Sequence, residues 1–484
     1  MSAPELRGQS LFRYLWRQLT SMRNALILLL LLGIASIPGS IFPQRTQSPL
    51  KVREYFETNP AGAKIMDRLY LFDVYGSPWF SAIYILLFIS LIGCVVPRTW
   101  HYTHEIFDKP SEPPLTLEGQ DFYQEFAGEL ESAHSFLAKR KFRTVRGEDW
   151  IAAEKGYLRE TGNLLFHLSL IVILLGIASS SVFGMRGEAI VNVGERFINT
   201  PTSYDNLATG RFFSLKNLPP FVIQPTNFDA QYDATTRAPI DYTLEANVAT
   251  SIDAPAMTRI VKVNSPLTFG STRVYLQANG YSPLVTVRDK SGAVKFEGPV
   301  PFLPQDANLS SIGAIKVPDM SPQIGFVASL LPTAARDEVR GGFSVFPQLL
   351  DPQLLFSVWQ GDLQMDKGIP QSVYRIDTSK MERIALKSLR IGESYNFGEV
   401  GSITFNGVVP WVNLQIVKDP GKQYALIGSL LAITGLLMSL FLRQRRIWIR
   451  RKGGRLYVAG LSANRLPGLE QEIEELAREV ADDK

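Results

Sequence analysis

Apolar residues are concentrated in four long runs rather than spread evenly along the chain. No run contains Asp, Glu, Lys or Arg, and each approaches the roughly 20 residues that an α-helix needs to cross a bilayer. The runs cover residues 25–42, 78–96, 162–184 and 423–442. We therefore predict an integral membrane protein with four transmembrane helices.

A different pattern fills the long segment between the third and fourth runs. Apolar and polar side chains alternate in residues 242–248 and again in 412–416, which is typical of β-strands with one buried face. Gly and Pro interrupt the segment often, as in VNSPLTFGSTRVYLQ, and this favours short strands joined by turns. We predict a large, sandwich-like β-rich domain. Its acidic and basic residues are equal in number, so no nucleic-acid surface is expected.

Basic residues set the expected orientation. They cluster before the first run and in RQRRIWIRRKGGR after the fourth, and Lys and Arg mark the cytoplasmic side, so both termini are predicted to be cytoplasmic. Five basic residues in the loop 43–77 run against this rule. The first run is too long for a typical signal-peptide core, and IASIPGS offers no clear A-x-A cleavage site, so we interpret it as an uncleaved helix.

The remaining segments follow from this topology. The loop between the second and third helices has helical and strand character, and GLEQEIEELAREV near the C-terminus is interpreted as a solvated helix or frayed tail. The predicted order is cytoplasmic N-terminus 1–24, transmembrane helix 25–42, extracytoplasmic loop 43–77, transmembrane helix 78–96, cytoplasmic α+β loop 97–161, transmembrane helix 162–184, extracytoplasmic β-rich domain 185–422, transmembrane helix 423–442 and cytoplasmic tail 443–484.

Small residues form stripes on two of the predicted helices, which lets another helix approach closely. The neighbouring helix can belong to this chain or to a partner. The stripes consist of Gly428, Ala432, Gly435 and Ser439 on the fourth helix, and of Ser169, Gly176 and Ser180 on the third.

Cys94 is the only cysteine, and it lies inside the second predicted helix. A single cysteine excludes intramolecular disulfides, a C-x-x-C redox centre and a Cys-based zinc site. We interpret Cys94 as a small apolar filler of the helix surface.

His167 is an ionisable residue within the third predicted helix. In the predicted topology it lies roughly 8 Å into the membrane from the cytoplasmic side. An imidazole at that depth fits a proton relay, a hydrogen bond between helices, or ligation of a metal or haem iron. A relay needs further acidic or histidine residues in the helices, and these helices have none. A haem iron needs only one or two axial ligands, so one histidine suffices on this side.

Three other histidines lie on the predicted cytoplasmic side. His101 and His104 follow the second helix at a spacing that places both on one helix face, where they could hold a metal. The alternative is that they belong to an interfacial aromatic belt with Trp100 and Tyr102. His134 has no polar companions and is expected at the surface.

Five stretches stand in order along nearly the whole chain: LTSMRNALILLLLLGIASIPGSIFPQR, SLIGCVVPRTW, AEKGYLRETGNLLFHLSL, VNSPLTFGSTRVYLQ and DPGKQYALIGSLLAITGLLMSLFLRQRRIW. Together with four helices and a long segment between the third and fourth, they resemble the ResB/CcsB family of cytochrome c biogenesis proteins.

The resemblance implies the system II pathway, in which such a chain pairs with a ResC/CcsA protein in the cell membrane. Together they are expected to export haem b, the transported substrate, and to join its vinyl groups to the thiols of apocytochrome c. The family's membrane histidine matches His167, which the resemblance assigns as an axial haem ligand. The tryptophan-rich haem-handling motif belongs to the partner. This chain is accordingly expected to be a non-catalytic or co-catalytic subunit of a cytochrome c synthase.

Two other functions compete with this hypothesis. One is a membrane-anchored scaffold or sensor whose external β domain binds a ligand, in which case His167 serves packing alone. The other is a transporter or channel, which four helices without charges, breaks or internal repeats disfavour.

Overall fold

The structure of the chain, a computed structural model, describes residues 8–45, 47–106, 108–120, 122–337, 341–365, 372–462 and 467–482. The chain folds into two compact units. Unit 1 comprises residues 1–178 and 421–484, and unit 2 comprises residues 179–420.

Among the described residues, four helices are long and apolar enough to cross a membrane, which confirms the predicted membrane architecture. The helices in chain order are α1 (Gly8–Leu19), α2 (Met22–Ile41), α3 (Pro49–Thr58), α4 (Pro60–Arg68), α5 (Pro78–Glu105), α6 (Leu130–Lys139), α7 (Leu158–Phe183), α8 (Lys422–Phe441) and α9 (Pro467–Asp482). Helices α2, α5, α7 and α8 are the four that could cross a membrane.

Local sequence explains where two of the long helices begin. Ser21 precedes α2 and accepts a hydrogen bond from the backbone N–H of Asn24, and Ser77 precedes α5 and accepts one from Phe80. Helix α5 continues past the apolar run 78–96 and ends at Glu105. An α-helix is defined by its backbone hydrogen bonds, which polar residues also form, so the end of the apolar run does not end the helix. The polar residues of the last turns of α5 therefore remain helical.

Small residues bring α7 and α8 into close antiparallel contact. A Cβ atom on Gly162 would lie 2.6 Å from the Cβ of Met438, and one on Gly428 would lie 2.7 Å from a side-chain carbon of Ile173. A Cβ atom on Gly435 would lie 2.5 Å from the backbone N of Phe166. The helix that the small-residue stripe of α8 accommodates is therefore α7 of the same chain.

Helix α5 runs antiparallel to α7 as well. The hydroxyl of Tyr84 donates to the carbonyl oxygen of Leu174 at 2.8 Å. Eighteen residues later, the Tyr102 hydroxyl donates to the carbonyl oxygen of Tyr157 at 3.0 Å. These two bonds hold the end of α5 beside the start of α7.

Unit 1 also contains an antiparallel sheet built from two distant segments of the chain. Its strand order is β1-β23-β22-β3-β2, so two strands of the C-terminal segment lie between strands of the loop that precedes α7. The strands are β1 (Phe122–Ala127), β2 (Arg143–Arg146), β3 (Trp150–Lys155), β22 (Arg445–Lys452) and β23 (Arg455–Ser462). Residues 97–161 and 443–484 thus share one folded core.

The interpretation of the C-terminal helix as solvated or frayed is wrong. Helix α9 buries Leu469, Ile473, Leu476 and Val480 in the same core as Leu137 of α6. These four apolar residues recur at helical spacing on one face, and the many acidic residues of α9 cover the rest of the helix. Overall charge concealed that stripe.

Unit 2 is β-rich, as predicted, and its strands form several antiparallel sheets. A seven-stranded sheet has the order β10-β11-β21-β4-β6, with β12 beside β11 and β20 beside β21; other sheets are β13-β14-β15-β18-β19, β5-β7-β8-β9 and β16-β17. The strands are β4 (Met185–Asn192), β5 (Phe197–Ile198), β6 (Asn206–Thr209), β7 (Val222–Tyr232), β8 (Pro239–Ala249), β9 (Met257–Lys262), β10 (Leu267–Phe269), β11 (Thr272–Asp289), β12 (Val294–Pro299), β13 (Leu303–Pro304), β14 (Ser311–Val317), β15 (Ile324–Leu331), β16 (Ala334–Asp337), β17 (Gly341–Ser344), β18 (Gln353–Gly361), β19 (Met381–Arg390), β20 (Ser394–Asn396) and β21 (Gly401–Lys418).

Two long strands, β11 and β21, connect the two cores of unit 2. One end of the pair contributes Val285 and Phe405 to a core shared with Phe326 of the five-stranded sheet. The other end contributes Val274 and Ile416 to a core shared with the four-stranded sheet. Each core lies between facing sheets, so the sandwich-like arrangement is confirmed.

Candidate functional site

The imidazole of His167 is held by its own helix. Its Nδ1 lies 2.9 Å from the backbone carbonyl oxygen of Asn163, one turn earlier in α7. A carbonyl oxygen only accepts, so Nδ1 carries a proton, and in the neutral imidazole Nε2 keeps its lone pair. Within the described part of the chain, Nε2 has no hydrogen-bond partner. This is the tautomer that binds a metal through Nε2.

The ring of His167 is also fixed from the side. The Phe166 ring meets it edge-on, with ring centroids 5.3 Å apart. The histidine is half-buried. Both contacts come from α7 itself, so the orientation of the imidazole does not require another helix.

His167 points away from α8. It follows Gly162 by five residues, which places it about 140° around the helix axis from the glycine that contacts Met438. The face of α7 that approaches α8 includes Gly162, Ser169 and Gly176. The face that carries His167 is therefore turned away from the closest contact between the two helices.

Two residues of the first turns of α7 share that face. Glu160, Leu164 and His167 stand at positions i, i+4 and i+7, which align along one side of a helix. Leu164 is buried, whereas Glu160 pairs with Arg98 of α5 at 3.4 Å. Glu160 is thus about two helical turns from His167 on the same face of α7.

Glu160 and Leu164 line a cavity in unit 1 of about 590 Å³, which we name the polar chamber. It lies among the end of α5, the start of α7 and the edge of the sheet formed by β2, β3 and β22. Charged residues that line it include Arg98, Asp108, Lys109, Arg143, Glu154 and Arg446.

Glu154 organises the floor of the polar chamber. Its buried carboxylate is 3.3 Å from Arg143 and 3.6 Å from Arg446, and it accepts a hydrogen bond from Gln444 at 3.0 Å. Arg143 also donates to the carbonyl oxygen of Ile106 and lies over the Tyr157 ring, 4.5 Å from its centroid. The charged side chains at the floor of the chamber are therefore held in place by specific hydrogen bonds and ion pairs.

An apolar groove of about 170 Å³ adjoins the polar chamber between α5 and α7. Tyr102, Ile106 and Leu164 line both cavities, so the two are neighbours that share a wall. Leu165 and Leu168 of α7 line the groove, whereas His167 is not among the lining residues of either cavity. The two cavities thus offer a polar region and an apolar region near the start of α7.

The other candidate residues lie apart from one another. His101 is exposed on α5 and lines the polar chamber, whereas the side chain of His104, on the same helix, falls outside the described structure. The Cys94 thiol donates to the carbonyl oxygen of Thr20 at 2.5 Å, which packs α5 against the chain just after α1. Within the described ranges, no three His, Cys, Asp or Glu side chains gather closely enough to hold a metal.

His134 is not a simple surface residue. It is half-buried, and its Nε2 lies 3.1 Å from the hydroxyl of Thr144 on β2. The sequence offered no signal for this contact because the two residues belong to different elements.

Sequence reasoning missed the polar chamber, whose residues come from three distant segments. One signal was available: Glu154 ends a run of apolar residues in a predicted strand, and a carboxylate in such a place needs a buried partner. Its partners Arg143 and Arg446 could not be chosen from sequence, since β22 lies almost 300 residues away from β3 along the chain.

Comparison with known proteins identifies relatives over nearly the whole chain. Residues 22–474 match the ResB-like family. The cytochrome c biogenesis protein CcsB of Synechococcus elongatus is 25% identical over 478 residues, which cover 96% of this chain and 92% of the relative. CcsB of Trichormus variabilis is 25% identical over 496 residues, covering 98% and 94%, and CcsB of Thermosynechococcus vestitus is 23% identical over 490 residues, covering 97% and 96%.

Proposed function

The chain belongs to the ResB-like family and is a cytochrome c biogenesis protein, and we propose that it handles the haem of that process within the membrane. With a partner of the ResC/CcsA type, it exports haem b across the cell membrane and supports the covalent attachment of that haem to apocytochrome c. In this proposal the haem is the transported substrate, and the chain is a subunit of the synthase rather than a complete enzyme.

The geometry of His167 is the observation that carries this function. An imidazole whose Nδ1 is bonded to a backbone carbonyl presents Nε2 as a neutral ligand in a defined direction. Haem iron accepts a histidine as an axial ligand, and an apolar helix surface suits the macrocycle. One turn of α7 thus provides both the histidine ligand, His167, and an apolar surface.

The second axial ligand comes from another chain in this proposal. The face of α7 that carries His167 is turned away from the contact with α8, and within the described residues no group of three or more His, Cys, Asp or Glu side chains gathers there. A partner helix that packs on this face would place its own histidine on the opposite side of the iron. Two subunits would then clamp one haem, and dissociation of the partner would release one ligand.

The proposed orientation places both termini in the cytoplasm and residues 185–422 outside. Basic residues of β22 and the following turn support the cytoplasmic assignment. His167 then lies nearer the cytoplasmic end of α7, where haem made in the cytoplasm arrives. The β-rich unit 2 lies on the side on which apocytochrome c receives haem.

The attachment chemistry sets a further requirement. Each thioether forms when a cysteine S–H adds across a haem vinyl group, with sulfur bonding to one carbon and hydrogen to the other. The thiols must therefore arrive reduced. Cys94 is the single cysteine of this chain, so it supplies no dithiol, and another protein must reduce the apocytochrome.

Deletion of the chain in its own host tests this function. Covalent c-type haem, measured on proteins separated under denaturing conditions, should disappear, while the b-type spectrum of the membranes stays. Unchanged c-type cytochromes in the deletion strain would refute the proposal.

A further inference from the structure

We propose that the polar chamber binds the two carboxylates of the tetrapyrrole whose iron His167 ligates. This inference rests on the proposed function. It assigns recognition of the carboxylates to the residues that line the polar chamber, in addition to the ligand role of His167. The ligand is then held at two points, its iron at His167 and its carboxylates in the chamber.

The position of the chamber relative to His167 is the first argument. Leu164 lines the chamber and lies about 4.5 Å from His167 along the helix axis, while Glu160 at the chamber wall lies about 10 Å away. Both are on the face of α7 that carries the histidine. A planar macrocycle ligated at its centre would thus extend its carboxylate edge toward the chamber.

The charge of the chamber is the second argument. Arg98, Lys109, Arg143 and Arg446 line it together with Asp108, Glu154 and Glu160, which leaves one positive charge in excess. Buried Glu154 holds both Arg143 and Arg446 at its floor. The cations nearer the rim are Arg98 and Lys109.

The two rim cations are available to a carboxylate. Lys109 is exposed and forms no ion pair with any residue that the structure describes. Arg98 contacts Glu160 at 3.4 Å, but its side chain is 60% exposed, and exposed pairs of this kind are weak. The guanidinium has five N–H donors, so it can bind a second carboxylate while it keeps Glu160.

An apolar surface adjoins the chamber. Tyr102, Ile106 and Leu164 line both the chamber and the groove of about 170 Å³. The groove is too small to enclose a tetrapyrrole ring, and His167 is not among its lining residues, so the ring would lie over the apolar surface of α7 rather than inside the groove. The chamber, at about 590 Å³, has room for the carboxylate edge.

Two porphyrin probes separate the carboxylates from the ring. Zinc protoporphyrin IX carries both carboxylates, its dimethyl ester carries none, and zinc takes a single axial ligand. Binding of each to the purified full chain in detergent is measured by quenching of tryptophan fluorescence. The variants are Arg98→Gln with Lys109→Gln, Glu160→Gln, His167→Ala and the control Lys139→Gln, whose side chain is exposed on α6 away from the chamber.

The inference predicts opposite effects for the two signs of charge. The Arg98→Gln, Lys109→Gln chain should bind the dicarboxylate at least about tenfold more weakly, since each lost charge-assisted contact of about 1.4 kcal/mol is worth a factor of ten, and it should bind the ester with unchanged affinity. Glu160→Gln should tighten the dicarboxylate alone, because it removes a repelling carboxylate. Lys139→Gln should match the unaltered chain with both probes.

The outcomes distinguish this inference from the proposed function. If His167→Ala weakens both probes but the double variant binds the dicarboxylate as the unaltered chain does, the chamber assignment is overturned and the ligand role of His167 stands. If His167→Ala binds both probes with full affinity, the proposed function itself is contradicted. Equal weakening of both probes in the double variant would also overturn the chamber assignment, since it would reflect a distorted structure rather than lost carboxylate contacts.

Discussion

The Nδ1 of His167 lies 2.9 Å from the carbonyl oxygen of Asn163, so a backbone atom of the same helix fixes the imidazole tautomer. Ligating histidines in proteins generally donate their second nitrogen to a carboxylate, carbonyl or water. Here a backbone carbonyl fills that role, and a change of side chain at Asn163 leaves it in place. The direction of Nε2 is thus a property of α7 alone.

The contact between α7 and α8 leaves no space for a larger residue at Gly435. A Cβ atom there would lie 2.5 Å from the Phe166 backbone N and 2.7 Å from the Gly162 oxygen, so Gly435→Val must separate the helices. We expect a loss of about 1–3 kcal/mol, measured as a lower unfolding temperature in detergent. Gly33→Val in α2 is the matched control, because no atom lies within 4 Å of that position. Equal unfolding temperatures for the two variants would contradict the packing.

The C-terminal helix should contribute to the stability of the sheet in unit 1. Leu476 is fully buried, so Leu476→Ala should cost about 2–5 kcal/mol through lost burial and the cavity left behind. Protease resistance of residues 445–482 in purified protein measures this. Glu479→Ala, at an exposed position of the same helix, should leave cleavage unchanged. A tail cleaved equally fast in all three chains would mean that α9 is solvated after all.

Glu154 should hold the floor of the polar chamber through its charge. Glu154→Gln keeps the size of the side chain but leaves Arg143 and Arg446 without their anion, and we expect a cost of about 1–3 kcal/mol. Thermal unfolding in detergent measures this cost. Glu131→Gln, which removes the exposed partner of Arg146, should change stability by less than about 1 kcal/mol. An unchanged unfolding temperature for Glu154→Gln would contradict this role, because it would mean that solvent satisfies Arg143 and Arg446 as well as the carboxylate does.

Asp205 should make the stability of unit 2 depend on pH. Burial raises the pKa of its carboxyl, although the Ile190 N–H donates to it at 2.6 Å and lowers the pKa in part. Because the folded-state pKa is above the unfolded-state value, ionisation of this carboxyl at neutral pH lowers the free energy of unfolding. The loss begins to shrink when the pH falls below the folded-state pKa, and it is gone below the unfolded-state pKa.

Asp205→Asn removes that ionisation and keeps an oxygen for the Ile190 N–H. The variant should therefore unfold at a higher temperature than the unaltered chain at neutral pH, and the difference should shrink in acid. Asp253→Asn, the same change at another carboxylate of unit 2, serves as the control. A difference that grows as the pH falls would have the wrong sign.

Sequence predicted the features that depend on local composition. The four membrane helices followed from runs without charge, and the stripe with Gly428 and Gly435 identified the face of α8 that packs. The identity of the neighbouring helix did not follow, because a stripe of small residues suits any helix that approaches closely. His167 was identified because ionisable residues within apolar runs are rare.

The polar chamber and the C-terminal core could not be predicted, because both join segments far apart in the chain. Strand β22 pairs with β3 through Ile447 and Ile449, in a stretch whose arginines suggested only a cytoplasmic charge cluster. In helix α9, the apolar residues at helical spacing are interspersed with glutamates, so the high charge of the segment suggested a solvated helix. Net charge described these segments correctly, but the period of their apolar residues determined the fold.

The visible spectrum of the chain purified with its partner tests the central claim most directly. If His167 is an axial haem ligand, the co-purified complex should show a Soret band that His167→Ala strongly reduces or shifts. Leu175→Ala, at an exposed apolar position two turns further along α7, should leave the band unchanged. A His167→Ala complex with a Soret band of the original position and intensity would contradict the account.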